Sequence, residues 1–496
     1  MPCRQRPAGG FVAVVTKQIE AGRALADIYP ARFCTLCRKE DAMSKQRIQL
    51  SDHFTYPRLL RFVLPCIGTM LFTSIYGIVD GLCVSNFVGK TAFAAVNLIM
   101  PLPMLLGTIG FMLGTGGSAI VGITLGEGDQ KKADRYFTLF LLAALVSVSV
   151  LAVLGIVFLR PIAVLLGAKG ELLDYAVRYG RILMVSLPTF ALQNMFQSFF
   201  VTAEKPHLGF YFTVGAGCTN MVLDVLLVGI LHWSVEGAAI ATILAQIISL
   251  VWQFKTFTNK NELLHLRRGI YKLRGTIVKN TIAIGMSPFL MNLAACFIVI
   301  FINKGLKEYD GDLAIGAFGI VNRIVFLFVM IVMGLNQGMQ PIAGYNFGAQ
   351  QYHRVNQVLK LTIYGATAVT TTGFLVGELM PELAVSAFTT HEGLIQLSAT
   401  GLRIVVIFFP IIGFQMVTSN FFQSIGMAGK AIFLSLTRQL LFLLPSIILL
   451  PLCWGSAGIW WSMPISDLAA SVVAGIMLYR QFKIFKTHGN KLKVEN

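Results

Sequence analysis

The sequence predicts an all-α integral membrane protein, with twelve transmembrane helices in two pseudo-symmetric six-helix lobes that meet at a central cleft. Three observations carry this. The chain has 496 residues, of which 55% are hydrophobic and only 13% charged, far too apolar for a water-soluble fold of this size. It divides into twelve apolar stretches long enough to cross a hydrocarbon core. It also repeats itself: Asn194-Met195-Phe196-Gln197-Ser198 recurs 226 residues later as Asn420-Phe421-Phe422-Gln423-Ser424. Gly122 and Gly126 ahead of Lys131-Lys132 are matched by Gly344 and Gly348 ahead of His353-Arg354, and Trp233 and Gly237 by Trp454 and Gly458. Such echoes near one offset indicate a duplicated unit, and two like halves in a bilayer create a cleft where they join, the recurrent architecture of secondary transporters.

The spans follow in order. The first, 57–86, carries Pro65, three glycines (Gly68, Gly77 and Gly81) and Asp80. Proline removes one helix hydrogen bond, so Pro65 is either a hinge coupling a change at Asp80 to helix shape or a fixed kink. The second and third cover 92–121 and 136–160; the fourth, 180–202, holds Asn194; the fifth, 208–231, holds Asn220 and Asp224; the sixth, 235–257, holds Thr242. Residues 258–280 are the longest polar stretch inside the bundle and read as a linker between lobes at 43–257 and 281–485. The remaining spans are expected at 281–303, 313–342, 359–380, 402–424, 431–453 and 457–481.

The net charge of +17 is distributed by loop rather than on a face. Residues 255–280 hold seven Lys or Arg and the basic tail 486–496 adds more, whereas the loops after the fifth, ninth and eleventh spans hold none. That alternation places both termini and the linker in the cytoplasm of a multi-pass protein of the cell membrane. Arg160, Lys169 and Arg178, on the expected outer side, fit it poorly. A nucleic-acid partner would require a basic face on a soluble module, and no stretch supplies one. Cys66, Cys83, Cys218, Cys296 and Cys453 read as small buried hydrophobes, and Cys34-x-x-Cys37 lacks the second ligand pair of a zinc site. Residues 1–42 are polar and basic, without a signal-peptide core. They read as a disordered arm or, the favoured reading, an artefact of an upstream start codon.

An ionisable residue at membrane depth costs about 2.5–3.5 kcal/mol on insertion scales, so each needs a reason. Asp80, Asp224, Arg323, Arg403 and Asp467 stand out, while Glu236 and Glu378 lie near span ends. Helix rise places Asp80, Asp224 and Thr242 each about 10 Å below the outer surface. Asn220 shares a helix face with Asp224, and Asn194 lies nearer mid-membrane. These five form a candidate cation site, because two close carboxylates cannot both stay ionised in a dry site without a proton or a metal ion such as Na⁺ between them. The alternative is that they fix helix packing, a modest stabiliser. Asp467 follows Pro464 and Ser466, so a local hydrogen bond in a broken helix is expected to satisfy it. Arg323 and Arg403 read as structural or headgroup-facing.

Taken together, Val79-Asp80-Gly81, Asn220-Met221-Val222-Leu223-Asp224, Glu236-Gly237-Ala238-Ala239-Ile240-Ala241-Thr242 and Gly458-Ile459-Trp460 with Pro464 resemble the multidrug and toxic compound extrusion (MATE) family, MepA-like branch, over nearly all of 50–485. The resemblance implies two six-helix lobes around a central cavity and exchange of H⁺ or Na⁺ inward for amphipathic, often cationic compounds outward, without a further cofactor. It implies that Asp80, Asn194, Asn220, Asp224 and Thr242 carry the coupling cation. Another branch uses acidic residues on the seventh and tenth spans, but here the seventh reads Ser287-Pro288-Phe289-Leu290-Met291-Asn292, so a C-terminal cation site is not expected. The 37 Phe and 19 Met suit a cavity that re-packs around varied cargo, although none can be singled out.

An enzyme is not expected. All seven histidines fall in predicted loops or at helix ends, and there is no Gly-x-x-x-x-Gly-Lys phosphate loop. The rival is a flippase for a lipid-linked or polar lipid substrate, expected to line its cavity with several arginines; a passive channel is the third reading. The expected partners are amphipathic small molecules and the bilayer, the protein acting as a monomer.

Overall fold

Each of the twelve predicted spans is helical in the computed structural model, which describes residues 48–87, 90–231, 233–260, 262–267 and 275–494. The first span is α1 (Tyr56–Phe87), and the second is broken at Met100 into α2 (Lys90–Ile99) and α3 (Pro101–Gly126). The break falls where proline, which has no N–H to donate, begins a new helix. Spans three to six are α4 (Gln130–Leu165), α5 (Glu171–Thr202), α6 (Pro206–Asp224), continued by a π-helical segment Val225–Ile230, and α7 (Ser234–Thr258). Then come α8 (Gly275–Asp310), α9 (Asp312–Gly348), α10 (Tyr352–Leu379) and the short α11 (Pro381–Ser386). The tenth span is α12 (Glu392–Val406) with α13 (Phe409–Ser424), bent by 54° at the break. The eleventh is α14 (Ala428–Leu436), a second π segment Thr437–Leu443 and α15 (Leu444–Trp454), and the twelfth is α16 (Ser456–Val494).

Among the described residues nine helices are long and apolar enough to cross a bilayer, ten with the bent pair. The fourth and ninth spans, α5 and α10, fall short of that apolarity. They pack on protein neighbours, α5 on α3, α4 and α7, and α10 on α9 and α13, where polar side chains need not meet lipid. α4 shows the opposite arrangement. Phe137, Phe140, Ala144, Val148, Ala152 and Leu159 are buried, while Val146, Val150, Val153 and Val157 form an exposed stripe at helical spacing. A helix apolar all round is what a bilayer neighbour requires. The same reasoning corrects one expectation: Cys66 is buried, but Cys218, Cys296 and Cys453 are exposed, since a small hydrophobe is as stable against lipid as inside. Cys83 and the Cys34–Cys37 pair lie outside the described residues.

The repeat in the sequence is a repeat in packing. In the first half α1 packs on α6, α3 on α4 and α5, α5 on α7, and α6 on α7. In the second half the equivalent helices make the equivalent pairs: α8 with α14, α9 with α10 and α12, α13 with α16, and α15 with α16. The pentapeptide has the same role twice, with Met195 and Phe196 fully buried in one half and Phe421 and Phe422 in the other.

The halves join along α1 with α9, α3 with α8, and α3 with α9, and glycine permits the closest approaches. A Cβ on Gly126 would land on the Tyr345 carbonyl oxygen, and one on Gly348 on the Ile123 carbonyl oxygen, a reciprocal pair 222 residues apart. Further along, Gly285 faces the Met112 carbonyl, and Gly334, the counterpart of Met112 at the same offset, faces the Ile67 backbone. Gln340 locks this seam by donating from Nε2 to Thr115 O (2.6 Å) and to Ser118 Oγ (3.1 Å).

At the same end the segment before α1 straps the halves together. Leu50 N donates to Glu204 Oε1 at 2.6 Å in the first half. Asn346 Nδ2 donates to Leu50 O (3.1 Å), Arg354 Nη1 to Ser51 O (2.5 Å) and Gln357 Nε2 to Phe54 O (2.9 Å) from the second. Leu50 and Phe54 are buried beneath these bonds.

The short stretch after α7 is also fixed. Lys205 Nζ pairs with Glu262 at 2.7 Å, His265 N donates to the buried Asp134 at 3.2 Å, Arg267 N donates to Thr138 Oγ1 at 3.1 Å, and Gln130 Nε2 donates to Leu263 O. Leu264 fills the core beside Phe257.

The seam predicts opposite outcomes for two glycines. Gly285→Ala sets a methyl against backbone and is expected to cost about 1–3 kcal/mol, seen as a lower Tm of the detergent-purified protein. Gly319→Ala, with nothing within 4 Å of its Cβ position, is expected to leave Tm unchanged or raise it slightly. Equal shifts would contradict the seam.

Candidate functional site

Two polar regions interrupt the apolar interior. The first lies where α6 ends. Asn220 and Asp224 are one helical turn apart and both almost fully buried; immediately beyond them the helix widens into the π segment, a distortion that often accompanies functional sites. With the Asn220 amide oriented by its neighbours, its nitrogen donates to Asp224 Oδ2 at 3.0 Å, while its oxygen accepts from Thr242 Oγ1 (3.2 Å) and Thr242 N (3.1 Å). Thr242 Oγ1 is also 3.0 Å from Ala238 O, so its single proton has two acceptors. Carboxylate, carboxamide and hydroxyl from two helices therefore form one buried hydrogen-bonded chain, with the amide nitrogen turned to the carboxylate and the amide oxygen to Thr242.

Of the five predicted site residues, the structure brings together Asn220, Asp224 and Thr242. Asn194 on α5 donates from Nδ2 to Phe190 O of its own helix at 3.1 Å rather than to that trio. The side chain of Asp80 lies outside the described residues, although its helix is placed. Gly217 of α6 accepts Phe72 and Tyr76 of α1 in close contact, and one level lower Gly68 accepts Phe210. The two helices therefore run in parallel. At about 1.5 Å per residue the Asp80 backbone, four residues past Tyr76, is at the level of Asn220, three past Gly217. Pro65 lies within the unbroken α1, and Thr69 Oγ1 donates to its carbonyl at 2.9 Å. Among the described residues no three His, Cys, Asp or Glu side chains converge as metal ligands.

The second region is a cavity just beyond the glycine seam, bounded by α1, α3, α8, α9, α13, α14 and the second π segment. Its walls combine Met70, Phe111, Met291, Met333 and Met416 with carboxamides and hydroxyls, chiefly from the second half. Ser435 Oγ lies 2.6 Å from Ser287 Oγ and 2.9 Å from Ser419 Oγ, a hydroxyl cluster tying α8, α13 and α14. Other polar atoms are unpaired: both amide atoms of Gln337, Asn336 Oδ1, Gln423 Nε2 and Gln439 Oε1. Native interiors seldom leave so many buried groups unsatisfied.

Arg438, on the second π segment, is the only ionisable side chain among the described residues lining this cavity. Its Nε donates to Asp467 Oδ1 at 2.6 Å. This corrects the sequence-based expectation for Asp467: α16 runs unbroken through it, and its partner is an arginine 29 residues away rather than a local donor. Arg438 itself escaped the sequence reading, although a lone arginine in the apolar run 431–453 was the available signal. Arg323 and Arg403 are exposed, in keeping with their expected peripheral roles.

A family profile described as MatE matches residues 65–226 and 284–448. The multidrug export protein MepA of Staphylococcus haemolyticus (strain JCSC1435) is 24% identical over 435 residues, covering 88% of this chain and 96% of that protein. Among solved structures, the MATE multidrug transporter DinF-BH in complex with R6G is 30% identical, covers 88% of this chain and 99% of its own, and superposes with a TM-score of 0.80. An outward-facing conformation of a multidrug resistance MATE family transporter of the MOP superfamily gives a TM-score of 0.83 at 21% identity, covering 89% and 99%.

The Asn220 geometry is testable by stability. Asn220→Leu removes one donor from a buried carboxylate and is expected to cost about 1–3 kcal/mol, read as a fall in Tm in detergent. Asn220→Leu combined with Asp224→Leu should recover most of that loss; a double variant no more stable than the single would argue against the contact.

Proposed function

Because the chain belongs to the MatE family of multidrug efflux transporters, we propose that it exports amphipathic compounds in exchange for H⁺ or Na⁺ taken up by an acidic site in the N-terminal lobe. The observation that carries this is the buried trio Asn220, Asp224 and Thr242, with Asp80 on the neighbouring helix at the same level. A carboxylate buried this fully, with a neutral amide as its neighbour, gains most when a proton or sodium ion joins it. Asn194, in this reading, contributes from mid-membrane after rearrangement of α5.

The lobes at 43–257 and 281–485 are the moving bodies of the proposed cycle, and residues 258–280 are the linker between them. The basic loops argue for cytoplasmic termini, which makes the strapped glycine seam the cytoplasmic closure and the cavity beyond it the compartment facing outward. Pro65 is the proposed bending point of α1, since its missing hydrogen bond leaves the adjoining turn easier to deform.

The coupling ion is identified by imposing one gradient at a time. Everted vesicles containing the protein are expected to accumulate a fluorescent amphiphile under either a pH or a sodium gradient. Asp224→Asn and Asp80→Asn should each abolish that accumulation while the protein remains folded in the membrane. Accumulation at the wild-type rate by either variant would remove the coupling site.

A further inference from the structure

We propose that the central cavity receives the anionic group of an amphiphile, a carboxylate, sulfonate or phosphate, on Arg438. This rests on the export reading for its biological purpose but not for its chemistry. The guanidinium is a planar fork of five donors matched to oxyanions. Asp467 takes Nε from behind, at 2.6 Å, and is itself nearly fully buried, so it orients the fork without lining the cavity. No carboxylate is among the described lining residues.

A second, independent observation points the same way. Gln337 and Gln423 line the same cavity. Each is more than nine-tenths buried, and the Nε2 of each has no hydrogen-bond partner. Buried amide donors without partners are costly, and an oxyanion seated on Arg438 is the kind of group that satisfies them. Met291, Met333 and Met416 supply an adaptable apolar wall for the rest of the molecule. The neutral carboxamides also tolerate a positive charge elsewhere on the ligand, so a zwitterionic amphiphile fits as well as a simple anion.

The test is equilibrium binding of rhodamine B, which carries a free carboxylate, and of its ethyl ester, in which an ethyl group caps the carboxylate and removes its charge. Fluorescence anisotropy with the full chain in dodecyl maltoside reads both without any gradient. Wild type is expected to bind the acid more tightly than the ester. Arg438→Gln should weaken the acid about tenfold or more, the loss expected for a charge-assisted hydrogen bond, and change the ester less than threefold; Arg438→Lys, which keeps the charge and loses the fork, should fall between. If Arg438→Gln fails to fold because Asp467 is left alone, Arg438→Gln with Asp467→Asn removes both charges and carries the comparison.

Competition by soluble dihexanoyl-phosphatidylglycerol distinguishes sources of the group: displacement of the dye identifies a lipid headgroup as an occupant, and no displacement identifies free amphiphiles. Equal binding of acid and ester by wild type, binding of neither, or equal losses of both in the Arg438 variants would overturn the proposal. Retained acid binding in a protein that shows no gradient-driven export would overturn the export reading alone.

Discussion

The seam where backbone meets backbone, Gly126 on Tyr345, Gly348 on Ile123, Gly285 on Met112 and Gly334 on Ile67, is the constraint on which the rest of the structure depends. Side chains larger than hydrogen at these positions would hold the halves apart, so the cavity would have no floor. Because lipid offers apolar groups as good a surrounding as protein does, lobe association here relies on close packing and on a few polar contacts rather than on the hydrophobic effect. Gln340 and the Leu50–Phe54 strap are those contacts. Each is individually weak.

Duplication built two similar scaffolds, and the polar residues then diverged. The turns before the fifth helix of each half share a positive-φ residue, Glu204 and Gly426, at the 222-residue offset. In that register Asp224 corresponds to Ser446, Asn220 to Phe442 and Arg438 to Ala216. The acidic trio therefore has no counterpart in the second half, and the cavity arginine none in the first. Each fifth span nevertheless contains a π segment, so both halves distort the helix that carries their special side chain. This separation fits a division of labour in which one half handles the coupling ion and the other meets the ligand.

Much of this was legible in the sequence, and the failures have physical reasons. Span number and the glycine and pentapeptide echoes could be read because apolar length and repetition lie in the sequence itself. Asn220, Asp224 and Thr242 could be grouped because helix rise and facing relate them directly. Arg438 with Asp467, and the orphaned Gln337 and Gln423, were not legible, since their significance depends on helix rotation about the cavity, which hydrophobic runs do not encode. The cysteines were misjudged for a related reason: in a bilayer, apolar does not distinguish buried from lipid-facing. The strap at Leu50–Phe54 was not legible, because its partners are some 150 to 300 residues away.

In the proposed cycle the glycine seam is a closure that opens under control of the acidic site. Spin labels at Lys131 and His353, exposed equivalents on either side of the seam, report this by pulsed electron paramagnetic resonance in a background without other reactive cysteines. The account predicts a short and a long distance whose balance shifts with pH or sodium, with the shift lost in Asp224→Asn. A single short distance under every condition, or a shift unaffected by Asp224→Asn, would contradict it.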